Sequence, residues 1–64
     1  MMEIICTPAA FNRWHAQLIV DGVVECTAVN PYPGCAIRDV VNEFCAKYND
    51  TPKATIRLHI TDWE

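Results

Sequence analysis

Between Cys35 and Tyr48 the apolar residues Ile37, Val40, Val41, Phe44, Cys45 and Tyr48 recur at intervals of three and four. At about 3.6 residues per turn, this spacing gathers them on one side of a helix. Arg38, Asp39, Asn42, Glu43, Ala46 and Lys47 then fill the other side. The pattern predicts a helix with one buried face and one wet face. Such a helix needs an apolar layer to lie on, and the rest of the chain must supply it.

The flanking segments have the period of strands. Arg13 to Val20 alternates Trp14, Ala16 and Leu18 with His15, Gln17 and Ile19, and Lys53 to Asp62 alternates Ala54, Ile56, Leu58 and Ile60 with Thr55, Arg57, His59 and Thr61. Met2 to Thr7, centred on Ile4, Ile5 and Cys6 and closed by Pro8, reads as a short edge strand. Val23 to Val29 is a further strand, joined to Arg13–Val20 by a tight turn at Asp21-Gly22. A two-residue turn would put Glu25 on the face of Leu18 and Trp14, burying a carboxylate. A three-residue loop with Gly22 as a bulge pairs Ile19 with Val23, keeps Glu25 wet and places Val24, Cys26 and Ala28 inside. The second register is the expected one. Asn30 suits an N-cap and the helix should begin between Pro31 and Cys35; Asn49 can close it in a left-handed conformation, with Pro52 beyond.

These elements predict an α+β fold, an antiparallel sheet of three to four strands with one helix packed on one face, in the order (β)ββαβ over residues 1–64 as one domain. A right-handed crossover from Val23–Val29 through the helix would leave Arg13–Val20 between its two neighbours. The uncovered face would carry His15, Gln17, Ile19, Val23, Glu25, Thr27, Thr55, Arg57, His59 and Thr61.

A chain of 64 residues buries only about 60% of its unfolded surface, so one helix on one sheet is what it can build. With 52% hydrophobic and 20% charged residues it is expected to fold. Five basic against eight acidic residues give a net charge of −3, which disfavours non-specific binding to nucleic acid or an anionic membrane and favours a protein partner with a basic surface. No apolar run approaches the roughly 20 residues of a membrane span. Met1-Met2-Glu3 has no basic leader region, so a cytoplasmic location with reduced thiols is expected.

No Ser-His-Asp order, Gly-rich phosphate loop or carboxylate pair in a cleft is present in the pattern, so neither an enzyme nor a cofactor is expected. Among the four cysteines there is no C-x-x-C pair; Cys6, Cys26 and Cys45 are expected in the core, and Cys35 in the first helical turn, where the helix dipole favours a thiolate. His15 and His59 could meet across adjacent strands, with Glu25 as a third metal ligand, but a flat wet face lacks the enclosing shell of a metal site and none is expected. An alternative reading gives His15, Arg57 and His59 to nucleic acid, though that face carries no aromatic residue for stacking. Trp14 should fill the core. Asp39 and Glu43, one helical turn apart, form an acidic ridge for a basic partner, joined by the acidic, aromatic end Asp62, Trp63 and Glu64. A homodimer through the open face or an edge strand is a further possibility.

A 64-residue acidic chain with strands Arg13–Val20 and Val23–Val29, helix Cys35–Tyr48 and strand Lys53–Asp62 resembles the small phage-encoded anti-CRISPR proteins that inhibit type I systems. The resemblance lies in size, charge and element order. It implies a non-enzymatic inhibitor that binds the surveillance complex or its nuclease and blocks target DNA recognition or cleavage, with Cas proteins as partners in the host cytoplasm. The family has no common binding residues to carry over, so Asp39, Glu43, Asp62, Trp63 and Glu64 are nominated on charge and position alone.

Overall fold

The computed structural model describes residues 1–49 and 56–60. Strands β1 (Met2–Ala9), β2 (Arg13–Val20) and β3 (Val23–Asn30) precede helix α1 (Pro33–Tyr48) and strand β4 (Ile56–Ile60). They form one four-stranded sheet in the order β3-β2-β1-β4 with the helix packed on it, the α+β class expected.

The sheet is mixed. β1 is antiparallel to β2 and β2 to β3, but β4 runs parallel to β1, from Met2 opposite Ile56 to Cys6 opposite Ile60. The crossover through α1 therefore passes over both β2 and β1, and the expected all-antiparallel sheet with β2 at the centre of three strands is corrected. β1 is an interior strand, not an edge. Its apolar run Ile4-Ile5-Cys6 suits a strand flanked on both sides. Pro8, which lacks an N–H, lies beyond the described β4 ladder and so removes no bond from it.

The β2–β3 connection is also corrected. Val20 faces Val23 across a two-residue turn in which Asp21 has φ 51° and Gly22 φ 83°, the positive values of a type I′ turn. A bulge opposite Leu18 and Ile19 then shifts the register, so that Ile19 faces Val24 but Leu18 faces Cys26 and Ala16 faces Ala28. Cys26 and Ala28 reach the inner face as expected. Val24 does not: it pairs with Ile19 and is exposed. The bulge takes Glu25 out of the alternation, which solves the buried-carboxylate problem one residue later than a three-residue loop would. At the other hairpin, Phe11 and Asn12 both take left-handed φ values and Phe11 is exposed.

The helix begins at Pro33, in the first turn where its missing N–H is not needed, with Tyr32 rather than Asn30 at the N-cap. Asn30 instead accepts from the Tyr32 N–H at 3.2 Å, a local turn that aims the chain into α1. Asn49 ends the helix in the left-handed region, φ 52°, its N–H donating to the Cys45 carbonyl. The core is Ile4, Cys6, Ala16, Leu18, Cys26, Ala36 and Val40, with Trp14, Val20, Ala28, Ile37, Val41, Phe44 and Ile56 packed around it. Ala36, absent from the expected stripe, is fully buried where the helix lies on the sheet. Cys6 and Cys26 are buried as small apolar residues, and burial pushes both thiols up; Cys45 is half-buried.

Candidate protein-binding site

Two sides of the molecule carry the residues singled out by sequence. On α1, Glu43 is exposed, whereas Asp39 is half-buried and accepts a hydrogen bond from the Asn30 side-chain amide at 3.1 Å. Arg38 lies 3.6 Å from the same carboxylate. The two acids of the expected ridge thus differ in kind. Asp39 ties the helix to the end of β3, and Glu43 forms no ion pair among the described residues. Asp62, Trp63 and Glu64 lie outside the described residues.

Glu43 stands at a shallow groove of about 480 Å³ between α1 and β3, lined also by Glu25, Cys26, Thr27, Ala46 and Lys47. One wall is braced. Lys47 Nζ donates to the Glu25 carbonyl at 3.3 Å and to its carboxylate at 3.1 Å, and the Tyr48 hydroxyl donates to that carboxylate too. These bonds, Tyr48's first and Lys47's second, hold the Glu25 carboxyl below the usual carboxylate range. The same contacts push Lys47 and Tyr48 up. Phe44 packs against the Tyr48 ring with centroids 4.8 Å apart, which fixes the phenol over β3. Sequence placed Glu25 on the open face; the bulge turns it to the helix instead, a contact spanning 22 residues that no local pattern announces.

On the uncovered face of the sheet the expected cluster comes apart. His15 sits on β2 opposite Thr7 and Val29, and His59 on β4 opposite Ile5, so β1 separates the two histidines that adjacent strands were to bring together. Two strand spacings amount to about 10 Å. His59 instead lies 3.5 Å from the Glu3 carboxylate, and Arg57 pairs with Glu3 in register. With Glu25 on the helix side, the metal trio has no common centre, and among the described residues no group of three His, Cys, Asp or Glu side chains converges on one. The face that would touch nucleic acid places an acid beside Arg57 and His59. Cys35, in the first turn of α1, is half-buried and unpaired with any other cysteine.

No helix among the described residues is long and apolar enough to cross a membrane. No protein-family model matches the chain, and no curated protein and no solved structure matches it.

Proposed function

We propose that this chain is a non-enzymatic protein-binding inhibitor of the kind it resembles, the phage anti-CRISPR proteins of type I systems. Its outer helix side, with Glu43 at the centre, receives a basic surface of a Cas complex or nuclease and keeps target DNA from that surface. The observation that supports this reading is the exposed Glu43 carboxylate, unpaired among the described residues at the mouth of a groove whose other acid, Glu25, is already neutralised by Lys47. A carboxylate left in that state is available to an incoming Lys or Arg. Asp62, Trp63 and Glu64 remain part of the proposed surface on charge alone, and Asp39 takes a supporting place through Asn30.

The test is affinity capture of the tagged protein from a bacterial lysate with an active type I system, repeated after nuclease treatment and with Glu43→Lys. Recovery of Cas proteins that survives nuclease and is lost with the variant is the expected result. Recovery of nucleic acid alone, abolished by nuclease, would transfer the function to the His15, Arg57 and His59 face; equal Cas capture by the variant would remove Glu43 from the interface.

A further inference from the structure

β2 and β3 turn one side to the helix and the other to water. Toward α1 they bury Ala16, Leu18 and Cys26. Strand alternation puts the intervening residues on the far side, where the register aligns them in three rows: Ile19 with Val24, Gln17 with Thr27, and His15 with Val29. Val24 is 47% and Val29 50% exposed. β1 extends the second and third rows with Ile5 and Thr7. The helix packs on the other side, and no described element lies over this one. Residues 61–64 are too few to reach across it: four residues span at most about 13 Å, and β3 lies three strand spacings, about 14 Å, from β4.

Charge sets this face apart. The chain has eight acidic and five basic residues, yet none of the six side chains in the β2–β3 rows is Asp, Glu, Lys or Arg. The acids of the described residues lie elsewhere. Glu25, Asp39 and Glu43 are on the helix side, Asp21 is at the hairpin turn against the N-terminal ammonium, and Glu3 is on β1 beside His59. The face therefore offers no carboxylate to a basic protein surface, and neither Lys, Arg nor a Phe, Tyr or Trp ring to a nucleic acid. It does match itself. Ile19, Val24 and Val29 can meet apolar counterparts, while Gln17 and Thr27 each both donate and accept hydrogen bonds. A two-fold axis near that polar row lets the amide and hydroxyl of one copy satisfy those of the other.

We propose that two copies of this chain pack these faces together as an isologous dimer, sheet on sheet with both helices outward. The net charge of −3 favours this arrangement over one that brings the helices together. With the sheets about 10 Å apart and a helix layer about 10 Å beyond each, the two acidic helix sides stand about 30 Å from one another. That exceeds the roughly 8 Å over which charges act in physiological salt. The rows of β1, β2 and β3 measure about 14 by 26 Å, a small interface, so the dimer dissociates on dilution with a constant on the order of 100 μM. This surface and the one built on Glu43 are on opposite sides of the sheet, and either can fail without the other.

The test is sedimentation velocity on the whole chain from about 10 μM to about 1 mM, with backbone amide resonances followed over the same range. Monomer should give way to dimer, and the amides of Gln17, Ile19 and Thr27 should move with concentration. Val24→Lys, at an exposed position outside the core, should weaken association at least about tenfold, because the dimer would bury its charge. Thr27→Lys, at an exposed position in the next row, should do the same and guards against a local effect of the first variant on the sheet. Glu43→Lys, on the helix side, should leave the midpoint unchanged. Four results would overturn the proposal: a chain still monomeric at the highest concentration, both sheet variants associating as tightly as the parent, concentration-dependent shifts confined to the amides of β4, or association lost with Glu43→Lys, which would move the interface to the groove.

Discussion

At the β3 side of the sheet the helix covers the inner surface, a bulge breaks the regular edge, and Lys47 and Tyr48 reach down to Glu25. At the β4 side none of these is present among the described residues: five residues pair with β1 alone, and Leu58 and Ile60 stand half in water. Both are end strands of one sheet, so the difference does not come from strand sequence alone. It comes from where one helix can lie. A helix about 10 Å across covers roughly two strands spaced about 4.8 Å apart, and a four-stranded sheet exceeds its reach. In this chain the helix leaves β3 directly and settles over β3 and β2; β4, joined by parallel pairing to the far side of β1, receives no cover from α1.

The sharpest way to break this comparison is to truncate the same residue type on each side. Leu18 is fully buried under α1, and Leu18→Ala should cost about 3 kcal/mol in urea denaturation, enough to unfold much of a small domain. Leu58→Ala should cost less than about 1 kcal/mol, because half of that side chain is already in water. Similar losses at the two sites would mean that β4 is as well packed as β2.

A smaller effect separates the two acids of α1. Asp39→Ala leaves the Asn30 amide without its acceptor and should lower stability by about 1 kcal/mol, while Glu43→Ala should change it by no more than about 0.5 kcal/mol. Glu43 variants are for this reason the cleaner probe of partner binding, and the double replacement of Asp39 and Glu43 by Lys would confuse binding with folding.

The smallest expected effect lies in the contact that latches β3. The folded carboxyl of Glu25 is held below its unfolded value of about 4.3, so its contribution is present above that pH and is lost as acid protonates the folded form. Lys47 and Tyr48 are raised, so from the alkaline side the contact persists through their unfolded values, about 10.4 and 10, and is lost above them. Asp21, lowered by its hydrogen bond to the N-terminal ammonium, adds in the same acidic direction as Glu25. Urea midpoints measured from neutral pH down through the carboxylate range should fall, and Glu25→Gln should flatten that fall; an unchanged slope would show that the contact contributes nothing in solution.

The parts of this fold that sequence discloses are those with a local period. The helix stripe and the alternation of Arg13–Val20 specify their elements because neighbouring residues share the message. Strand order has no such carrier. Pro8 suggests both a strand end at Thr7 and an edge, yet β1 continues through Pro8 to Ala9 in pairing with β2, and only the parallel match of Met2–Cys6 with Ile56–Ile60 reveals β1 as interior. Asp21-Gly22 announces a turn but not its length, because the two-residue turn is acceptable only with the compensating bulge at Val24 and Glu25, which is not written in any residue type. The same holds at the candidate site. Glu43 is legible as a polar helix position, but the distinction between it and Asp39 rests on Asn30, and the neutralisation of Glu25 rests on two residues at the far end of α1. Ala36 was missed for a simpler reason: a small residue lies where helix and sheet approach most closely, and hydrophobic periodicity gives it little weight.

Native-state amide hydrogen exchange, read residue by residue at neutral pH, tests the asymmetry of the two edges most directly. Amides of β2 and of β1 facing β2 should exchange slowest, by global unfolding, and those of β4 markedly faster, by local opening. Protection of β4 equal to that of β2, at a protein concentration where the chain is monomeric, would contradict the account.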